Sequence, residues 1–227
     1  MSPLDRKNDL ILRLPMNYRT LGRSGICVSP ICLGTMNFGG PTDEVTSRRI
    51  IDKGLDQGIN FIDTADVYTG GESERITGSA IASRRNDWIV ATKLANQIGD
   101  GPNRKGLGRK WMMEACDESL RRLATDYIDI LYFHKEDHST PMAESVAAAG
   151  ELIRAGKVRY FGVSNHRSWR VAEISRICDE LGVPRPVVSQ PYYNAMNRMP
   201  EVEHLPACEY FGLGVVPYSP LARGVLS

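Results

Sequence analysis

From Pro30 onward, short apolar runs alternate with longer amphipathic stretches: PICLGTM, EVTSRRIIDKGLDQG, NFIDTAD, ESERITGSAIASR, then DWIVATK. The rhythm carries on through RKWMMEACDESLRRL, YIDILYFH, MAESVAAAGELIRAG, VRYFGVSN, SWRVAEISRICDELG, PVVSQPYY, EVEHLPACEYFG and LGVVPYSP. Short β-rich runs bounded by Gly or Pro read as buried strands, and apolar positions recurring every three or four residues read as one helix face. About seven strands and about six helices are predicted. Their alternation implies parallel strands joined by right-handed helical crossovers, an α/β fold of the (β/α)8 TIM-barrel type.

Upstream, YRTLGRSGICVSP breaks at Gly-Arg-Ser-Gly between two short runs, which predicts an N-terminal β-hairpin placed to plug the barrel bottom. Residues 1–15 read as a flexible leader ahead of Met16, and 16–227 as the barrel domain. The one longer irregular stretch, NQIGDGPNRKG, follows a strand end, a natural place for a substrate-facing loop. Closing an eight-stranded barrel takes an eighth strand and last helices after PYSPLARGVLS, so the expectation is an incomplete barrel.

Asp63, Tyr68, Lys93 and His134 stand at or just after the ends of three successive apolar runs, FID, WIVAT and IDILYF. In a parallel barrel those ends converge on one mouth, where barrels of this type keep their chemistry. Taken singly, each of the four reads as a solvated or hydrogen-bonded structural residue; taken together they make a candidate site.

Composition narrows the classes. A chain of 227 residues with 42% hydrophobic and 24% charged residues and a net charge of +1 is an ordinary globular protein without the basic excess of a nucleic-acid binder. No segment approaches the roughly 18 apolar residues of a membrane span, and the first residues lack a signal-peptide apolar core. Five cysteines without a C-x-x-C pair or a histidine at metal-ligand spacing predict reduced, mostly core thiols, a cytoplasmic location and no metal site.

A tyrosine is a weak proton donor at neutral pH, because its ordinary pKa is about 10. A lysine charge about 4 Å away contributes about 4 kcal/mol at an effective dielectric of about 20, enough to lower a phenol pKa by about two to three. Lys93 is placed to supply that charge, Asp63 to keep the ammonium protonated, and His134 to orient a carbonyl oxygen. Such a group hydrogen-bonds a carbonyl and donates a proton as charge develops, which suits reduction by an external hydride.

Seven separated motifs, LGTMNFGG, NFIDTADVY, ATK, LYFH, GVSN, SQPYYN and PYSPLARG, occur in this order. With them, the chain from about Met16 to Ser227 resembles the aldo-keto reductases, barrel oxidoreductases that use nicotinamide cofactors. The resemblance implies that Tyr68 is the general acid for a small carbonyl substrate, tuned by Lys93 and Asp63, with His134 orienting the substrate. It implies that Gly34, Thr35, Met36 and Asp63 line the cofactor, and that Ser164, Asn165 and Gln190 hold the nicotinamide carboxamide. By the same resemblance Tyr218 stacks on the nicotinamide ring, while Ser219, Leu221 and Gly224 lie over the pyrophosphate. NADPH is preferred to NADH by family habit alone. Structural alternatives stand beside these roles: Ser164 and Asn165 as caps of the next helix, Gln190 as a satisfied interior amide, Tyr218 as packing. No G-x-G-x-x-G opens a helix after a strand, so a Rossmann-type site is not expected.

Two departures from the family pattern matter. Gly108 stands where relatives often carry Ser before Arg-Lys, a helix cap weaker by a few tenths of a kcal/mol. The second is the segment after the eighth strand that reads the cofactor's 2′-phosphate, to which nothing here corresponds. An open barrel edge implies a homo-oligomer or a completing partner, unless the sequence is a fragment of a longer reductase. The alternative function is a cofactor-binding regulatory or interaction subunit like the potassium-channel beta subunits, or an inactive truncated relative.

Overall fold

The computed structural model describes residues 16–227; the expected leader over residues 1–15 lies outside them. The described residues open with a two-stranded antiparallel hairpin, β1 (Arg19–Thr20) and β2 (Cys27–Val28). Seven strands then alternate with six α-helices, as the apolar rhythm predicts. In order these are β3 (Leu33–Gly34), α1 (Glu44–Asp56), β4 (Phe61–Asp63), α2 (Glu72–Ile81), β5 (Ile89–Leu94), α3 (Arg109–Leu123) and β6 (Ile128–Phe133). They continue as α4 (Met142–Arg154), β7 (Val158–Ser164), α5 (Ser168–Leu181), β8 (Val188–Gln190), α6 (His204–Phe211) and β9 (Gly214–Val215).

The sheet runs β3-β4-β5-β6-β7-β8-β9 with every neighbour parallel, so each helix is a crossover between adjacent strands. This is a curled, incomplete (β/α)8 barrel with a separate hairpin. Among the described residues no strand joins β3 to β9. Between those two edges and the hairpin lies an open seam of about 460 Å³, lined by Ser29, Cys32, Phe61, Val215 and Pro217 among others.

Two cores follow from the alternation of side chains across a strand. The larger one packs outward strand residues such as Val90, Leu131 and Val163 against Trp111, Val146 and Ile174 of the helices. The smaller one fills the barrel interior with Phe61, Ala91, Ile130, Tyr132 and Val188, and the hairpin's Leu21, Ile26 and Val28 join it from below. Gly22 makes that plug fit. Its φ is +56°, and a Cβ there would lie 2.5 Å from the carbonyl oxygens of both Val187 and Gly212.

Local signals place the helix ends. Asp43 caps α1, its carboxylate accepting from the Thr46 amide at 2.7 Å, and Gly182 and Gly212 close α5 and α6 in the left-handed conformation. At α3 the cap residue Gly108 has no side chain to offer, and Glu144 of α4 accepts from the Arg109 amide at 2.9 Å instead. The irregular stretch after β5 is tied down as well: the Leu107 amide donates to Asp137 at 2.7 Å and the Gly106 amide to Ala95 O at 2.9 Å. No helix among the described residues is long and apolar enough to cross a membrane.

Candidate active site

The strand register aims one set of side chains at the barrel mouth. Asp63 pairs across with Ala91, Lys93 with Tyr132, and Ser164 with Gln190. Asp63, Lys93, Ser164 and Gln190 therefore sit at the C-terminal ends of β4, β5, β7 and β8, with His134 one residue past β6. A cavity of about 680 Å³ opens above them. Its lining includes Gly34, Thr35, Met36, Tyr68, Asn165 and Tyr218 besides those residues, except that Lys93 lies fully buried beneath it. That volume lies within the range of small-molecule sites.

Lys93 Nζ is the hub. It donates to an Asp63 carboxylate oxygen, to Thr64 O at 2.7 Å and to the Tyr68 hydroxyl at 3.2 Å. Its nitrogen also stands 4.7 Å from the Tyr68 ring centroid. Burial alone would strip the ammonium of its proton, but the charges and hydrogen bonds of Asp63 and Tyr68 outweigh it and raise the Lys93 pKa. Asp63 is held from its other oxygen by Gln190, whose Nε2 donates at 3.1 Å.

For Tyr68 the balance differs from the expectation of a lowered pKa. Burial raises the phenol above its ordinary value, and Asp63 adds to that; Lys93 pulls down but does not win. The single-charge estimate from sequence omitted desolvation, which is the larger effect in a pocket this enclosed. Tyr68 is consequently a protonated phenol in contact with a cation, an acid that gives up its proton only when something takes it.

His134 faces Tyr68 edge-on, with ring centroids 5.9 Å apart. Burial first, then Lys93 and Lys135, push its pKa down to about 3, so the imidazole is neutral. Asn96 Nδ2 sits 2.9 Å from His134 Nδ1 and donates to it. A neutral ring that accepts at Nδ1 carries its hydrogen on Nε2 and can donate.

Opposite this pair, Ser164 Oγ donates to Gln190 O at 2.9 Å, and Asn165, with φ of +55°, donates to His134 O at 3.1 Å. Neither caps a helix: the residue before α5 is Arg167. The Tyr218 hydroxyl donates to Asn165 Oδ1 at 2.9 Å, and its ring stacks on Tyr192 at 5.3 Å. Ser219 reaches the cavity; Leu221 and Gly224 do not line it, and Leu221 is 54% exposed on the turn beyond. Thr35 is buried and braces Asp63 from behind, its hydroxyl donating to Asp63 O at 3.0 Å, while Met36 is exposed at the rim.

Sequence reasoning missed Asn96 and Asp66. Asn96 follows Lys93 by three residues in an irregular stretch, and no periodic signal says that its amide reaches a histidine 38 positions on. Asp66 lies inside the NFIDTADVY motif, yet only its burial sets it apart from a loop carboxylate.

Parallel strands, crossover helices and a phenol–ammonium–carboxylate group at the strand C-termini define a barrel of the kind that keeps its chemistry in strand-end loops. Comparison with known proteins narrows this class. The sequence model of the aldo/keto reductase family matches residues 30–227, and the chain belongs to that family. It is 40% identical over 217 residues to a probable voltage-gated potassium channel subunit beta of Oryza sativa subsp. japonica, covering 93% of this chain and 66% of that protein. It is also 40% identical over 222 residues to an uncharacterized oxidoreductase of Bacillus subtilis (strain 168), covering 93% and 68%. With the versiconal hemiacetal acetate reductase of Aspergillus parasiticus it shares 34% identity over 238 residues, 93% and 69% of the two chains. The chain spans about two thirds of the length of the curated relatives it matches.

Proposed function

We propose that the protein reduces aldehydes or ketones to alcohols, with Tyr68 as general acid and NADPH as hydride source. One observation carries this reading: the Tyr68 hydroxyl is 3.2 Å from an ammonium that is itself fixed by Asp63, at the floor of an open cavity. A carbonyl oxygen set between the Tyr68 hydroxyl and His134 Nε2 receives two hydrogen bonds. As negative charge grows on that oxygen, Tyr68 transfers its proton, and Lys93 stabilises the phenolate left behind. A nicotinamide cofactor, when bound, supplies the hydride that no side chain here can give.

The residues facing this pair suit such a group. Ser164, Asn165 and Gln190 place hydroxyl and amide functions on one wall, matched to a carboxamide, and the Tyr218 ring offers a flat apolar face. Ser219, which reaches the cavity, is assigned to the pyrophosphate in this reading, and Leu221 and Gly224, outside the cavity lining, to the turn beyond it. NADPH rather than NADH, and a cytoplasmic location, belong to the same proposal.

Replacing Tyr68 by Phe tests the assignment. Carbonyl reduction should fall by about 10²-fold or more, while NADPH still quenches tryptophan fluorescence with unchanged affinity. Retained turnover would refute the role of Tyr68. The similarity to proteins named as potassium channel beta subunits favours a second reading, a cofactor-binding regulatory subunit. It predicts NADPH binding with no measurable reduction by the unaltered chain.

A further inference from the structure

Behind the turn that carries Tyr68 lies a buried acidic cluster that the proposed reaction does not use. Asp66 is 2% exposed, and neither carboxylate oxygen has a side-chain hydrogen-bond partner; the Val67 amide lies near it but outside good hydrogen-bond geometry. Its backbone is pinned, the amide donating to Lys93 O at 3.1 Å. Two positions further on is Tyr68, followed by a left-handed run, Thr69, Gly70 and Gly71, with φ of +49°, +64° and +93°. A Cβ at Gly71 would lie 2.8 Å from Arg122 Cδ, so this turn rests directly on the arginine.

Glu74 of α2 is fully buried, but its oxygens are both engaged: Thr92 Oγ1 donates at 2.5 Å and Arg122 Nε at 2.5 Å. Arg122 also donates to Ser119 at 3.2 Å and forms an ion pair with Glu118 at 3.7 Å. Two buried acids thus lie within the field of one guanidinium, and of the two only Glu74 is hydrogen-bonded to it. An unpartnered carboxylate in such a place is costly when ionised. Burial, then Glu74, push Asp66 up to about 7; Arg122 on α3, the Val67 amide and Lys93 on β5 oppose them without prevailing. The coupling runs to the reaction centre as well, because a charge on Asp66 opposes ionisation of Tyr68.

We propose that Asp66 is a positioning residue for Tyr68 that works as a neutral carboxylic acid: protonated, it lets the Tyr68 turn seat on the Glu74–Arg122 pair, and ionised, it works against negative charge on Tyr68. The proposal rests on Tyr68 being the proton donor. Its consequence is a carbonyl reduction that slows as pH rises through about 7, for a reason remote from substrate and cofactor.

The experiment begins with the unaltered full chain, labelled with carbon-13 at the aspartate carboxyls and titrated by NMR from pH 4 to 9. One carboxyl should titrate near pH 7 and vanish from the spectrum of Asp66→Asn; if every aspartate carboxyl titrates below about pH 5, the proposal is overturned, whatever the variant does. Next, kcat for carbonyl reduction is compared at pH 6 and pH 8.5. The ratio should be about ten for the unaltered chain and close to one for Asp66→Asn, since asparagine cannot ionise. An unchanged ratio in the variant overturns the positioning role. If Tyr68→Phe retains turnover, the reductase assignment fails on its own evidence, and the carboxyl titration still decides whether Asp66 is neutral.

Discussion

Lys93→Met removes the ammonium while keeping most of the side-chain volume. Lys93 is 0% exposed and has three acceptors, Asp63, Thr64 O and Tyr68, so its loss strands a carboxylate that is itself 7% exposed. Only the Gln190 amide, at 3.1 Å, continues to hold the Asp63 side chain. Breaking a buried ion pair from one side costs about 3–5 kcal/mol, a large part of the roughly 5–15 kcal/mol that holds a domain together. Asp63→Asn strands the ammonium instead, and the double variant buries no net charge. In urea unfolding followed by circular dichroism at pH 7, Lys93→Met should lose about 3–5 kcal/mol, and Asp63→Asn on top of it should restore at least about 2 kcal/mol. A coupling below about 1 kcal/mol in the double-mutant cycle would show that the ammonium is solvated, and the tuning of Tyr68 by a buried charge would fall with it.

Two further outcomes are expected. His134 should stay neutral with its hydrogen on Nε2 from pH 5 to 9, read from nitrogen-15 shifts; a midpoint between pH 5 and 7 would overturn the desolvated site. Because its folded pKa is about 3 against about 6.5 unfolded, the stability it contributes is present above about pH 6.5 and is lost as pH falls toward 3. Gly22→Ala should lower stability by about 2 kcal/mol or more in the same urea assay, since the left-handed backbone is strained and the new methyl meets two carbonyl oxygens at 2.5 Å. A neutral outcome there would mean that the hairpin does not seat against the barrel bottom.

The element order was legible because strands and crossover helices leave distinct periods in the chain, and each run from PICLGTM to LGVVPYSP folds as its pattern indicates. So was the candidate mouth: parallel strands bring consecutive C-terminal ends to one side, so Asp63, Lys93 and His134 converge through topology alone. What lay beyond reach was every contact that depends on distance through space rather than along the chain. Asn96 setting the tautomer of His134, Glu144 lending α3 its cap, and Gln190 bracing Asp63 across 127 positions leave no trace in local sequence. The direction of the Tyr68 pKa was decided there as well. Charge partners can be guessed from motif spacing, but desolvation is a property of the packed surroundings, and in this site it outweighs the nearest charge. Sequence by itself therefore determined that Asp63, Tyr68, Lys93 and His134 meet at the mouth, and tertiary structure decided that Tyr68 and Lys93 hold their protons while His134 stays neutral.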